Sequence, residues 1–205
     1  SNGYITSTND TITGADYGTP VVAAAVFKAT DGNASVTIDN ITTNQGSLKV
    51  TTSTGGIEVK NSTVNLNDDG SVSMRLSSTS GGDIIANNNT VNGLTKISNL
   101  AGGDVSVENI DTHSLEVTTS TGDITVTNTD SSQKNVIDGT MTLTSGAGGN
   151  ITANNNAVTG NATIETKGNI TSGNNTYGTL NITSNNTDSN GYITSTNDTI
   201  TGADY

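Results

Sequence analysis

Apolar and polar residues alternate along most of the chain in short segments. In residues 122–128, GDITVTN, isoleucine and valine alternate with threonine, and GGIEVKN at 55–61 and GDVSVEN at 103–109 follow the same plan. Alternation with a period of two places apolar side chains on one face of a β-strand and polar side chains on the other. The sequence therefore predicts many short strands, each with one buried face.

A Gly-x-apolar sequence opens these segments at regular intervals. It occurs at Gly3, Gly32, Gly55, Gly82, Gly103, Gly122, Gly149, Gly168 and Gly191. The nine glycines define eight intervals over 188 residues, so each inner repeat averages 188/8, or about 23.5 residues. A second alternating segment lies within each interval, as in SLEVTT at 114–119 and TLNITS at 179–184.

Short strands that recur at this spacing, with glycine at the corners, are typical of a parallel β-solenoid. An antiparallel β-sandwich also uses many short strands, but it does not require the same glycine, isoleucine and asparagine at equivalent positions of every repeat. We therefore predict an all-β protein, a parallel β-solenoid (β-helix) in which each inner repeat forms one rung.

One string of residues occurs twice. SNGYITSTNDTITGADY stands at 1–17 and again at 189–205, an offset of 189 − 1 = 188 residues. Identity at every position of this string indicates tandem repetition. We expect residues 1–188 to form one tandem unit of about eight rungs, and residues 189–205 to start the next identical unit.

Asparagine recurs six residues after most of the glycine starts. The members of this column are Asn61, Asn88, Asn109, Asn128, Asn155, Asn174 and Asn197, with Asn9 added by the repeat and Asn40 after a two-residue slip. Asparagine favours turns, and stacked amides can bond to the layers above and below. We predict a structural ladder at a corner of the fold; a ligand-binding column is the functional alternative.

Three aspartates directly follow glycine in consecutive repeats: Asp83, Asp104 and Asp123. Stacking would place their carboxylates about 5 Å apart, a spacing at which they repel one another unless a cation lies among them. They are the candidate metal ligands, with Ca²⁺ as the ion, and turn residues are the simpler interpretation. We expect no other cofactor.

Catalytic chemistry finds little support in the residue types. Stacked carboxylates also have the separation seen in retaining glycosidases, but here rung stacking alone would impose that spacing. The chain has no Trp to stack on sugars, no Cys, and a single histidine, His113, which we expect to be exposed before a strand. We predict that the protein is not an enzyme.

Composition narrows the class further. A hydrophobic content of 30% and a net charge of −12 are features also found in disordered chains. The chain has only one proline, however, and its apolar residues alternate regularly, so disorder is not expected. No run of Lys or Arg is visible in the sequence, which argues against a nucleic-acid partner. The longest apolar run, PVVAAAVF at 20–27, is too short to span a membrane.

The phrases GDITVTN at 122–128, GNITANN at 149–155 and GNITSGN at 168–174 occur with Leu-x-Val-Thr-Thr in the second half of the repeat. This combination resembles the repeat regions of giant bacterial surface exoproteins, the filamentous-haemagglutinin-like adhesins, over most of residues 32–197. The resemblance implies a secreted, right-handed parallel β-helix that acts as a stalk or fibre. It supplies no catalytic residues.

Together these observations predict a structural repeat of a long extracellular adhesin or bacterial cell-surface filament, built by end-to-end stacking of rungs. Its expected partner is itself, through end-to-end stacking, with lateral filament assembly and a glycan or cell-surface ligand as further options. A glycan- or cell-binding β-helix module is the alternative function, and a polysaccharide-active β-helix enzyme is the third.

Overall fold

The fold is all-β. A computed structural model describes residues 3–13, 23–66, 72–130, 132–186 and 191–202. Strands make up 66% of the structure, and the described ranges contain no helix. In particular, no helix long and apolar enough to cross a membrane occurs in these ranges. The all-β part of the sequence prediction is confirmed.

Twenty strands are formed, most of them short. In chain order they are β1 (Tyr4–Thr8), β2 (Thr11–Thr13), β3 (Ala23–Ala29), β4 (Ser35–Asp39), β5 (Thr42–Asn44), β6 (Ser47–Thr52), β7 (Ile57–Lys60), β8 (Thr63–Asn65), β9 (Val72–Ser78), β10 (Ile84–Asn99), β11 (Val105–Thr119), β12 (Ile124–Thr127), β13 (Asn135–Ile137), β14 (Met141–Ser145), β15 (Ile151–Asn154), β16 (Asn156–Thr166), β17 (Ile170–Gly173), β18 (Thr176–Ser184), β19 (Ile193–Thr196) and β20 (Thr199–Ile200). The long strands β10 and β11 continue through corners at which their neighbours are interrupted.

The strands pair in three parallel ladders, and each strand pairs with its counterpart in the next inner repeat. The first ladder follows β1, β4, β7, the start of β10, the start of β11, β12, β15, β17 and β19. The second includes β2, β5, β8, β13 and β20, and the third β3, β6, β9 and β14. Parallel pairing rules out the antiparallel sandwich.

Equivalent residues of successive repeats lie opposite one another. In the first ladder, one inward column consists of Ile5, Val36, Ile57, Ile84, Val105, Ile124, Ile151, Ile170 and Ile193. The members from Val36 to Ile170 are at most 2% exposed. Burying each such side chain contributes on the order of 1.5–3 kcal/mol, so stacking stabilises the repeats together.

One apolar core is shared by all three ladders. Ile38 from the first ladder, Val64 from the second and Leu76 from the third belong to a single cluster of buried side chains. All twenty strands belong to one sheet, but only four of them close into a ring. The period-2 alternation of the sequence thus corresponds to one face on this core and one face in water.

Glycine at the corners permits close approach of neighbouring backbones. A Cβ added at Gly82 would lie 2.1 Å from the carbonyl oxygen of Gly55, and one added at Gly122 would lie 2.0 Å from that of Gly103. Gly32 does not occupy this column. A Cβ added at Gly55 would meet the Ala34 carbonyl oxygen at 1.9 Å, so Ala34 holds the column position in that repeat. This displacement accounts for the two-residue slip before Asn40.

Candidate functional site

The most regular polar feature is a column of asparagines at the corner between the first and second ladders. Eight of them have positive φ, between 49° and 58°: Asn9, Asn40, Asn61, Asn88, Asn109, Asn155, Asn174 and Asn197. Among residues with a side chain, asparagine tolerates the left-handed conformation well, because its short polar side chain bonds locally. The recurrence of asparagine six residues after glycine therefore marks a conformational requirement of the corner.

The amides of this column bond from repeat to repeat. Four side-chain NH₂ groups donate to the asparagine Oδ1 of the preceding repeat: Asn40 to Asn9 at 2.6 Å, Asn88 to Asn61 at 2.7 Å, Asn109 to Asn88 at 2.7 Å and Asn197 to Asn174 at 3.3 Å. Asn61 donates instead to the Asp39 carboxylate at 2.8 Å. Most of these amides therefore bond to a residue of the preceding repeat along the column.

Asn128 is placed differently from the other members. It is absent from the residues with positive φ, and its side chain is only 3% exposed. Its Oδ1 accepts the backbone N–H of Asp130 at 3.1 Å, and its backbone carbonyl accepts the Asn155 amide at 2.7 Å. The chain makes a longer excursion here before β13, so the column passes through the backbone of Asn128.

The three candidate metal ligands belong to a second column of hydrogen-bonded polar residues. The backbone N–H of Asp104 donates to Asp83 Oδ1 at 2.9 Å, and that of Asp123 donates to Asp104 Oδ1 at 2.8 Å. The series continues with Asn150 N–H to Asp123 Oδ1 at 2.6 Å and Asn169 N–H to Asn150 Oδ1 at 3.1 Å. One oxygen of each aspartate thus serves a corner N–H of the next repeat, a role that asparagine fills equally well.

This arrangement is not a coordination shell. The aspartates stand one per repeat along a line, whereas Ca²⁺ takes six to eight oxygen ligands around a single point. Within the described ranges, no group of three His, Cys, Asp or Glu side chains is positioned to hold a metal ion. Ca²⁺ binding at Asp83, Asp104 and Asp123 stays a prediction, and the hydrogen bonds give these residues a structural role.

A third column of polar side chains is buried, and it was not predicted from the sequence. Its members are at most 2% exposed: Asn89, Asn135, Asn156 and Asn175. Asn135 donates to Asn156 Oδ1 at 2.8 Å, and Asn156 donates to Asn175 Oδ1 at 2.9 Å. Three of the four directly follow an asparagine of the exposed column. The Asn-Asn pairs at 88–89, 155–156 and 174–175 were the available signal.

The buried amides complete the backbone hydrogen bonding at the corner. Asn89 Oδ1 accepts the Ser62 N–H at 3.0 Å, and its NH₂ donates to the Val59 carbonyl at 2.9 Å. Asn175 likewise donates to the Ala153 carbonyl at 2.8 Å. Buried backbone groups at a sharp corner lose their ladder partners, and leaving one unsatisfied costs about 1–3 kcal/mol. The buried amides supply the missing partners.

The buried asparagine column ends at a carboxylate, that of Asp198. Its Oδ1 accepts the N–H and the NH₂ of Asn175, both at 2.9 Å, and its Oδ2 accepts the hydroxyls of Ser172 at 2.6 Å and Ser195 at 2.7 Å. Partial burial acts to raise the pKa of Asp198, but the hydrogen bonds outweigh burial and hold that pKa below its usual value. The carboxylate is thus fixed in its charged form.

Tyr177 lies beside this cluster and is fully buried. Its hydroxyl is 3.2 Å from Ser172 Oγ. Burial raises the pKa of Tyr177, the Ser172 hydrogen bond opposes the rise, and the nearby Asp198 charge adds to it. Tyr177 is therefore a neutral hydrogen-bonding residue of the core. His113 is exposed, as predicted, but it lies within β11 and not before a strand, and its carbonyl accepts the Gly139 N–H at 2.6 Å.

Comparison with known proteins does not identify a function for this chain. No family model, no curated protein and no solved structure matches the chain. The resemblance to adhesin repeats stays a prediction. All three columns of polar side chains run along the direction in which the strands stack. They bond one repeat to the next, an arrangement that suits a regular array of repeats along one axis.

Proposed function

We propose that this chain is a structural unit of a long bacterial extracellular filament or adhesin stalk. In this proposal the three parallel ladders are the sides of a β-solenoid, and successive 188-residue units continue it end to end. Its role is mechanical and not enzymatic: stacked Val and Ile columns and asparagine ladders stiffen the rod, and outward Thr, Ser, Asn and Asp keep it soluble. The rod holds an adhesive partner away from the cell surface.

The observation that carries the proposal is the behaviour of the duplicated string. Its first copy pairs through one edge: Ile5 lies opposite Val36, and Thr11 opposite Thr42. Its second copy pairs through the other edge, where the equivalent residues Ile193 and Thr199 lie opposite Ile170 and Thr176. The same sequence therefore accepts a parallel neighbour on each side.

The hydrogen-bond direction is also the same on both sides. Asn40 donates its amide to Asn9, and the equivalent Asn197 donates its own to Asn174. An asparagine at this position can accept from the following repeat and donate to the preceding one at the same time. A copy of the string between two units would therefore continue the ladder without a break in direction.

The last described repeat presents apolar residues that a following repeat would cover. Ile193 is 47% exposed and Ile200 is 58% exposed, whereas their equivalents Ile5 and Ile12 are partly buried against the core. Exposed apolar residues next to unpaired strand edges favour association. Continuation of the sheet removes both liabilities at once.

Chains with one, two and three 188-residue units, each followed by residues 189–205, test the proposal. The longest dimension should grow by about 38 Å per unit, since eight inner repeats stack at about 4.8 Å each. Cryo-electron microscopy and small-angle scattering measure this increment. Antibody labelling of intact cells of the source organism tests the surface location.

The matched control is a two-unit chain in which the internal copy of the 17-residue string is replaced by a Gly/Ser linker of equal length. This chain should bend freely at the junction and give a broad distribution of lengths. Free bending in the unaltered two-unit chain as well would contradict the proposal, because the duplicated string would then not join the units.

A further inference from the structure

Three basic residues of this acidic chain stack in one column. Lys49 lies opposite Arg75, and Arg75 lies opposite Lys96, on the adjacent strands β6, β9 and β10. These are three of the seven Lys and Arg residues in a chain of net charge −12. These three residues lie far apart in the sequence, so the sequence did not predict a basic patch.

The column, here called the basic stripe (Lys49, Arg75 and Lys96), points away from the core. Lys49 is exposed, and Arg75 and Lys96 are half-buried. Lys96 forms an ion pair with Glu116 on the next strand. Lys49 and Arg75 form no ion pair with any residue of the described ranges, although Asp68 and Asp69 lie outside those ranges.

The fold by itself gives no reason for this placement. Like charges directly opposite one another on adjacent strands are destabilising. Threonine or serine would fill these outward positions without repulsion, as Thr142 and Thr163 do farther along the same column. A stripe of three cations at the strand spacing therefore indicates an anionic partner with charges at a similar spacing.

The chain itself carries such a partner surface. The acidic stripe (Asp83, Asp104 and Asp123) stacks in three consecutive repeats and is exposed. Both stripes are three repeats long: Glu116 follows Lys96 in one, and Asn150 follows Asp123 in the other. Because the same sheet sets both spacings, the cations of one copy lie at the same intervals as the anions of another; Lys49 and Arg75 are the two that pair with no carboxylate of the described ranges, whereas Lys96 also pairs with Glu116.

The two stripes cannot satisfy each other within one chain. The aspartates precede strands of the first ladder, whereas the cations lie in the third ladder, and no ion pair of the described residues joins them. A contact that uses two different surfaces of identical molecules is heterologous and leaves one stripe free on each outer copy. It therefore propagates sideways.

We propose that the basic stripe docks onto the acidic stripe of a second copy of this chain, so that rods associate side by side. Charge complementarity and equal spacing carry this inference, and it does not depend on the extracellular role proposed above. The net charge opposes long-range approach, but at physiological salt a Debye length of about 8 Å confines the interaction to the facing stripes.

Sedimentation of the 205-residue chain over a range of concentration and salt tests the proposal. Self-association should be present near 0.1 M NaCl and should weaken as salt rises. Asp83→Asn, Asp104→Asn and Asp123→Asn together should weaken it by about tenfold. These changes keep the corner hydrogen bonds, since Asn150 already accepts such a bond in this column. Lys49→Gln with Arg75→Gln should have a similar effect.

A matched control removes two cations outside the stripe. Lys134→Gln with Lys167→Gln changes the net charge equally at exposed positions and should leave the association unchanged. A charge swap gives the sharpest result: a variant with Lys49→Glu, Arg75→Glu and Lys96→Glu should associate with one carrying Asp104→Lys and Asp123→Lys, and neither should associate with itself. Circular dichroism establishes that each variant is folded.

Several outcomes would overturn the proposal. A chain that stays monomeric at all concentrations would do so, as would an association that is equally strong in the stripe variants. Binding of dextran sulfate through Lys49 and Arg75, with no self-association, would assign the stripe to a polyanion and not to a second copy. These results are separate from the length increment per unit, which tests the proposed function.

Discussion

At the scale of single residues, two backbone requirements explain most of the repeated letters. The corner asparagines are there because the chain needs a left-handed residue that can also bond to its neighbours, as Asn88 does with φ of 55°. The corner glycines have a different reason. Gly122 does not have positive φ; it lacks a Cβ because the Gly103 carbonyl lies where a Cβ would be.

We therefore expect Gly122→Ala to lower the free energy of unfolding by about 1–3 kcal/mol, because the added methyl group forces two stacked repeats apart. Gly3→Ala is the control: it lies in the same column, but the nearest atom to its added Cβ is that of Ala34, at 3.7 Å. Its effect should be close to zero. Urea denaturation followed by circular dichroism measures both, and equal effects would refute the close-approach explanation.

At the scale of strands, the contacts of one repeat with the next decide how firmly it is held. The duplicated string shows this directly, because identical residues have different neighbours in its two copies. Asp198 accepts hydrogen bonds from Ser172, Ser195 and Asn175, whereas Asp10 accepts one among the described residues, from Ser7 at 2.5 Å. The difference comes from Ser172 and Asn175, which belong to the repeat that precedes the second copy.

Asp198→Ala should therefore loosen β19 and β20 by about 1–3 kcal/mol, since the buried backbone N–H of Asn175 would lose its acceptor and the buried Ser172 hydroxyl would lose the carboxylate to which it donates. Asp10→Ala should have a smaller effect on β1 and β2. Hydrogen exchange measured by mass spectrometry on peptides from the two ends compares them. Equal loss of protection at both ends would contradict this account.

Acid should act on the same contact. The folded state holds the pKa of Asp198 below the value of about 3.9 expected in an unfolded chain. Its contribution to stability is therefore complete above about pH 4 and is lost as the pH falls through the lower, folded pKa. Protection of β19, corrected for intrinsic exchange rates, should fall in that range in the parent chain and not in the Asp198→Ala variant.

At the scale of the whole molecule, stability is shared along the stacking direction. Each inner repeat contacts mainly the repeats before and after it, so the central repeats have two neighbours and the outermost described repeats have one. The core reflects this: Ile124 is fully buried, whereas Ile193, in the same column, is 47% exposed. Opening should therefore begin at the outermost repeats.

Amide exchange should accordingly be graded along the chain. Amides of β11 and β12 should exchange at least about tenfold more slowly than those of β1, β2, β19 and β20. In a two-unit chain, the internal copy of the duplicated string should become as protected as the centre, because both of its edges are then paired. Uniform protection in the single-unit chain would show that the repeats unfold as one block.

The sequence by itself determined the strand content, the inner repeat and the places where the chain turns. Period-2 alternation, corner glycine and corner asparagine are local requirements, and each leaves a mark at a fixed spacing. The corner column was predicted correctly in position at Asn88 and Asn109, both of which bond along it. The shift to Ala34 escaped prediction because it depends on which residue the neighbouring backbone approaches.

Only the tertiary structure decided which polar residues meet. The buried amides of Asn135 and Asn156 are 21 residues apart in sequence, and Lys49 and Arg75 are brought together by the register of β6 with β9. Register is set by the packing of apolar columns over the whole sheet, not by the polar residues themselves. That is why the sequence predicts the frame, whereas the buried ladder and the charged stripes emerge only once the repeats are stacked.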